Sequence, residues 1–179
     1  MIIIGIDPGY AITGYGVVEY ISNRFRVLDY GVISTKAHTP FELRLLTIYH
    51  EVKVLMERYH PDVMAIEELF FSRNTTTAIG TAQARGVVIL AGAEAGLPVY
   101  EYTPMQVKSA VTGYGRADKN QVLQMIRILL AIPQSTKIID DASDALAIAI
   151  CQAHSGLREG NKAVGGYQLG PAPRNNIIT

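Results

Sequence analysis

Residues 2–9 read Ile2-Ile3-Ile4-Gly5-Ile6-Asp7-Pro8-Gly9. Both alternating faces are apolar, Ile2, Ile4 and Ile6 on one and Ile3 with Gly5 on the other, the pattern of a strand covered on both sides in the middle of a sheet. Pro8-Gly9 punctuates it. Two β-rich runs follow, over 14–20 and 25–33, separated by Ser22-Asn23, so two consecutive hairpins are the simplest reading. Between 41 and 59 the period changes: Phe41, Leu45, Ile48, Val52, Leu55 and Tyr59 recur at alternating spacings of four and three, one apolar stripe of a helix with Pro40 in its first turn. His60-Pro61-Asp62 stops that helix. Val63-Met64-Ala65-Ile66 is a further short strand, ending in Glu67-Glu68. Beyond it the pattern predicts a helix over 75–94, a strand over 98–102 and helices over 104–112, 118–131 and 141–155.

Hairpins first and alternating helix and strand afterwards define an α/β chain with a mixed sheet and helices on its faces. In such an order the third strand runs parallel to the first. A right-handed helical crossover then returns the fourth strand parallel to both, free to pair with the open side of the first. Asp7 and Glu67, at the carboxyl ends of the first and fourth strands, meet at one edge of the sheet, where open α/β sheets place their sites.

The length of 179 residues suits one domain with one substantial core. A charged fraction of 18% against 49% hydrophobic excludes disorder as the main state. Cys151 is the single cysteine, which excludes a disulfide scaffold and a cysteine-paired zinc site. The start lacks the basic region of a signal peptide, and no uncharged apolar run reaches membrane-spanning length, so a cytoplasmic protein with no membrane partner is expected. The domain is expected over 1–157. Residues 158–179, rich in Gly, Pro and Asn without a period, read as a flexible tail. Lys plus Arg and Asp plus Glu both total 16, so any polyanion site must be local. Between Arg73 and Arg127 six basic residues (Arg73, Arg85, Lys108, Arg116, Lys119, Arg127) stand against three acids (Glu94, Glu101, Asp118). Phe70 and Phe71, in the expected loop after the acidic strand, are of a type that stacks on unpaired bases.

The acids carry the chemistry. Asp7 beside Pro-Gly serves a turn as readily as a site. Glu67 and Glu68 point to opposite faces of their strand, so one of them can join Asp7. Asp140, Asp141 and Asp144 head an otherwise nearly uncharged helix. Capping and the helix dipole explain one or two of them; by spacing alone either Asp141 or Asp140 shares a face with Asp144. Four carboxylates converging at one place repel unless a cation neutralises them. Oxygen-only donors select hard ions such as Mg²⁺ or Mn²⁺ and disfavour zinc. Two such ions roughly 3.5–4 Å apart hydrolyse phosphodiesters, so the reaction read from these residues is nucleic-acid strand cleavage.

The chain also resembles a known family. Ile4-Gly5-Ile6-Asp7-Pro8-Gly9 with Gly14-Tyr15-Gly16, Ala65-Ile66-Glu67 with Phe70, Gln83-Ala84-Arg85-Gly86, Gln106-Val107-Lys108, Ala117-Asp118-Lys119-Asn120-Gln121-Val122 and Asp141-Ala142-Ser143-Asp144-Ala145-Leu146-Ala147 together resemble the RuvC family of crossover junction endodeoxyribonucleases over about residues 1–155. The resemblance implies a ribonuclease H-like fold, a mixed five-stranded sheet of three antiparallel and then parallel strands with helices on both faces. It makes Asp7, Glu67, Asp141 and Asp144 the catalytic, metal-binding carboxylates, preferring Asp141 over Asp140, with two Mg²⁺ per site and Mn²⁺ as a substitute. Lys108 and Lys119 match lysines near the scissile phosphate, Phe70 matches an aromatic that contacts the junction, and Arg73 beside it joins the DNA-binding set. It further implies a homodimer that resolves four-way (Holliday) DNA junctions in recombination and repair by paired nicks. The cuts leave 5′-phosphate and 3′-hydroxyl ends, made in concert with the RuvA–RuvB branch-migration complex. Glu68 and Asn120 depart from the family pattern without removing a ligand.

Two rivals compete. An actin-like or sugar-kinase-like ATPase shares the Gly-x-Asp-x-Gly turn before a glycine-rich hairpin, but such proteins need a second domain. A catalytically inactive junction-binding module would bind DNA and not cut it.

Overall fold

A computed structural model describes residues 1–69 and 75–156. The elements run β1 (Ile2–Asp7), β2 (Ile12–Ile21), β3 (Arg24–Ser34), α1 (Phe41–Tyr59), β4 (Val63–Glu67), α2 (Thr75–Glu94), β5 (Val99–Tyr102), α3 (Pro104–Thr112), α4 (Lys119–Leu129) and α5 (Asp140–Ser155). They form one five-stranded sheet in the order β3-β2-β1-β4-β5. β1, β2 and β3 pair antiparallel; β4 joins β1, and β5 joins β4, in parallel. This is the sheet that the strand pattern and the resemblance both led us to expect.

The two apolar faces of β1 serve two cores. Ile4 and Ile6 pack with Val17, Met64 and Ile66 beneath α1 (Ile48, Val52, Leu55, Met56) and α2 (Ala84, Val88, Ala91). Ile3 packs with Val18, Val63 and Ala65 beneath α3, α4 and α5. The helices on both faces therefore follow from the double-sided burial of one strand.

Several element ends differ from the pattern by one or two residues. The β2–β3 hairpin is longer than 14–20 and 25–33, because Ser22 and Asn23 both take positive φ (49° and 60°) and let the ladder run to Ile21↔Arg24. α4 stops at Leu129 rather than 131, where Ala131 turns left-handed (φ 51°) and Ile132 bonds back to the Arg127 carbonyl. α5 starts one residue earlier, at Asp140; its N-cap is Ile139, and no side chain caps it. The acids at its head are therefore not there as caps. No helix of the described residues is long and apolar enough to cross a membrane.

The seat of α5 on the sheet decides where those acids go. A Cβ on Gly5 would lie 2.2 Å from the Ala145 carbonyl oxygen, and one on Gly14 would lie 2.0 Å from that of Asp141. On Gly16 it would meet the Leu146 side chain and Cα within 3.0 Å. The glycines of Gly5-Ile6-Asp7 and Gly14-Tyr15-Gly16 thus form a track without side chains on which backbone meets backbone. α5 answers with its own small residues, Ala142, Ala145, Ala149 and Ala153, all buried.

Candidate active site

Each acid is placed by the element that carries it. Asp7 ends β1 opposite Gly14 of β2. Glu67 ends β4, parallel to β1, opposite Tyr102 of β5. Asp141 and Asp144 lie in the first two turns of α5, and the tight contact between Asp141 and Gly14 sets that end of the helix beside Asp7.

Electrostatics couples these groups. The Asp7 carboxyl is raised from 3.8 to about 7, first by burial and then by the charges of Glu67, Asp144 and Asp141, with Lys119 pulling it down. Burial raises Glu67 as well, Asp144 adds to the shift, and Lys108 opposes it. Burial raises Asp144, against the pull of Lys119. A carboxyl that stays partly protonated near neutral pH among other acids marks a site short of positive charge. Lys119 meets part of that shortage: its Nζ stands 3.2 Å from Asp140 and 3.4 Å from Asp144. A capping box between Asp118 and Gln121 makes Lys119 the first residue of α4 and so fixes where its side chain starts.

Asp140 has a side chain 76% exposed and pairs with Lys119, whereas the α5 acids that act on Asp7 are Asp141 and Asp144. Glu67 is the β4 acid that acts on Asp7. Phe70 and Arg73 lie outside the described residues, as does the 158–179 segment read as a tail.

Among the described residues, no three His, Cys, Asp or Glu side chains stand in an arrangement that holds a metal ion as it is. The chemistry of the donor set nevertheless fits a hard divalent cation: several oxygen donors on three elements at one sheet edge, with Cys151 buried away in the core.

One residue matters more here than its sequence context suggested. Arg85 of α2 donates from Nε to the Glu67 carbonyl at 3.2 Å and pairs through Nη2 with Glu101 of β5. Both side chains are nearly buried, 12% and 13% exposed. Arg85 therefore fastens α2 to the ends of β4 and β5 and holds the backbone from which the Glu67 carboxylate projects. Local charge counting grouped Arg85 with the positive charge available to a polyanion; the signal that could have separated it was Glu101 in the neighbouring strand. Arg127 is likewise no surface cation, being 8% exposed with its guanidinium on the Pro133 and Thr136 carbonyls at 2.6 and 2.8 Å. Breaking a buried pair from one side leaves a desolvated charge, so Arg85→Gln is expected to cost about 3 kcal/mol in urea unfolding. A loss below about 0.5 kcal/mol, the usual size of a surface change, would show that the pair is not structural.

With this geometry established, comparison with known proteins is informative. The pattern of the family described as crossover junction endodeoxyribonuclease RuvC matches residues 3–152. A crossover junction endodeoxyribonuclease RuvC from Desulfitobacterium hafniense (strain DSM 10664 / DCB-2) is 59% identical over 155 residues, covering 87% of this chain and 93% of that protein. The protein of the same name from Clostridioides difficile (strain 630) is 52% identical over 167 residues, 93% of this chain and 98% of the relative. Among solved structures, T. thermophilus RuvC in complex with Holliday junction substrate superposes with a TM-score of 0.81 at 38% identity, covering 87% of this chain and 94% of that one. The yeast mitochondrial Holliday junction resolvase shares the fold alone, at a TM-score of 0.59 and 13% identity. Sequence pattern, relatives and architecture agree over nearly the whole described chain, and the protein belongs to the crossover junction endodeoxyribonuclease RuvC family.

Proposed function

We propose that the chain is a structure-selective endodeoxyribonuclease that resolves four-way DNA junctions by paired nicks, leaving 5′-phosphate and 3′-hydroxyl ends for ligation. Nucleases of this family are metal-dependent. The observation that carries the reading is geometric: Asp7 at the end of β1, Glu67 at the end of parallel β4, and Asp141 and Asp144 at the head of α5 come to one sheet edge, where burial and the other acids raise the Asp7 carboxyl. Such a cluster is costly to keep without a cation and useful with one.

In this reading Asp7, Glu67, Asp141 and Asp144 hold two Mg²⁺ ions, and Mn²⁺ substitutes for them. Bound there, the ions supply a polarised water and neutralise the charge that develops on the phosphate. The chain's own residues do the rest. Carboxylates on three rigid elements fix the place of cleavage, and Arg85 holds the Glu67 backbone so that its carboxylate keeps its orientation. Lys108 and Lys119 bring positive charge to the acids' edge, where a phosphate must approach. Phe70 and Arg73, on the segment that follows Glu67 and Glu68, are assigned to contact with the junction. The ATPase and the inactive junction binder are not favoured, since relatives of nearly equal length carry the nuclease name.

Paired nicks need two sites, and we assign the second to a second copy of the chain. Ile79 and Leu90 of α2, each 60% exposed, lie on one helical stripe with exposed Gly86, flanked on α1 by Leu43 and Leu46 at 47%. Leu90→Glu is expected to shift the protein from dimer to monomer in sedimentation and to replace paired nicks by single ones; an unchanged dimer would move the interface elsewhere. Concerted action with the RuvA–RuvB branch-migration complex and a cytoplasmic setting complete the proposal. The direct test is incubation with Mg²⁺ and a synthetic four-way junction, beside linear duplex of the same sequence. Symmetric, ligatable cuts in the junction, with the duplex left largely intact, are expected. No cutting across several junction sequences with either Mg²⁺ or Mn²⁺ would refute the proposal.

A further inference from the structure

On the far side of the sheet edge from Lys108 and Lys119, a second arrangement of side chains has no role in the site so far described. Tyr10 follows β1 by three residues, and its ring lies between α1 and α2, 5.9 Å from the Phe41 ring and against Gly80. The Arg44 guanidinium stands over that ring, 4.7 Å from its centre. Arg44 Nε donates to Thr35 Oγ1 at 2.7 Å, and that hydroxyl donates to the Tyr10 carbonyl at 2.7 Å. The Thr35 backbone N–H is held in turn by the Ala11 carbonyl at 3.0 Å. The planar group is thus fixed on one face and at one nitrogen.

Among the described residues, Arg44 has no counter-charge. Arg26, Arg85, Lys53 and Lys119 each stand against a carboxylate, and carbonyls fill the fork of buried Arg127. Arg24, Arg58 and Arg116 are exposed. Among the described residues, Arg44 is the half-buried arginine that makes no ion pair and bonds through Nε alone. The loop leading to it, Thr35-Lys36-Ala37-His38-Thr39-Pro40, carries exposed Lys36 and His38 and no acid; Glu42, also exposed, is the nearest acid along the chain. A guanidinium pre-set by stacking, with two amino groups free, is the form in which arginine takes a phosphate bidentately.

Its position relative to the acids follows from register. Asp7 faces Gly14 on β2, and Gly14 faces Val32 on β3, two residues before the end of that strand and three before Thr35. Two strand spacings, roughly 10 Å, separate the ends of β1 and β3, about three steps along a nucleic-acid strand at 3.4 Å each. We propose that Arg44, seated on Tyr10 and Thr35 and assisted by Lys36, is a phosphate-binding subsite for the DNA backbone of a junction arm, on the opposite face of the sheet from Lys108 and Lys119. The proposal rests on the junction-cleaving reading.

Fluorescence anisotropy with a labelled four-way junction, without divalent metal and across roughly 50–200 mM salt, tests it. Arg44→Gln is expected to weaken binding about tenfold at the lower salt and to lower the salt slope by about 0.9, the value of one phosphate contact. Arg44→Lys should recover most of the slope but not all of the affinity, since charge returns without the fork. Lys36→Gln, on an exposed side chain that cannot unfold the protein, should lower the slope as well. Arg24→Gln, at the far hairpin turn, should change neither quantity. A wild-type slope in Arg44→Gln, or in Lys36→Gln if Arg44→Gln does not fold, overturns the subsite. Wild-type protein that binds no junction at all overturns instead the function on which it rests.

Discussion

Asp7→Asn is expected to abolish junction cutting, by at least about a thousandfold, to leave junction binding intact, and to raise the melting temperature of the metal-free protein at pH 8. The first two effects follow from removing a metal-holding charge with almost no change of shape. The third follows from the environment of the carboxyl. Burial and three neighbouring acids raise it from 3.8 to about 7, so the fold favours its protonated form. Stability from this group is fully present below pH 3.8 and is lost as pH rises through about 7. At pH 8 the ionised group opposes folding. A shift of about three units corresponds to about 4 kcal/mol at most. Asn, itself polar and partly desolvated, should recover about half of that, or roughly 5 °C. Wild type should therefore melt lower at pH 8 than at pH 5 without metal, and the variant should show a flatter profile. A variant that still turns over, or that melts below wild type at pH 8, would remove Asp7 from the site.

The second large effect is mechanical. Gly14→Ala places a Cβ 2.0 Å from the Asp141 carbonyl oxygen and 2.4 Å from its carbon. These are backbone atoms of a helix packed along its length on the sheet, and they cannot swing aside as a side-chain tip would. α5 must lift at its N-terminal end, in whose first two turns Asp141 and Asp144 sit. Overpacking of this kind costs about 3 kcal/mol or more, and a displacement near 1 Å at a reacting centre costs about a hundredfold in rate. The expected result is therefore a joint loss of stability in urea and of cleavage. Wild-type values for both would mean that α5 does not depend on the glycine track.

Much of this was legible in the chain. The helix over 41–59 and the strand at 2–6 show themselves through period and double-sided burial, and Asp7 and Glu67 follow from topology once those strands are placed. Asp141 was not separable from Asp140 by spacing, because residues three and four apart share a helix face; in the fold Asp140 is exposed against Lys119, while Asp141 acts electrostatically on Asp7. The hairpin was read short because non-glycine residues at positive φ leave no mark in composition. Arg85 and Arg127 were counted with the charge available to a polyanion because their partners, Glu101 and the carbonyls of Pro133 and Thr136, are joined to them only by the fold. Arg44 reads as one charge of an amphipathic helix until Tyr10 and Thr35, from two other segments, are brought beneath it.

The central claim is that carboxylates from β1, β4 and α5 form one cation site. Titration calorimetry with Mn²⁺ at pH 8 on the wild type and on Asp7→Asn, Glu67→Gln and Asp144→Asn, without DNA, tests it most directly. The account predicts that the wild type binds Mn²⁺ and that each single variant loses at least about tenfold in affinity, as expected when ligands of one site are removed. Mn²⁺ binding in Asp144→Asn or Glu67→Gln that matches the wild type would contradict it.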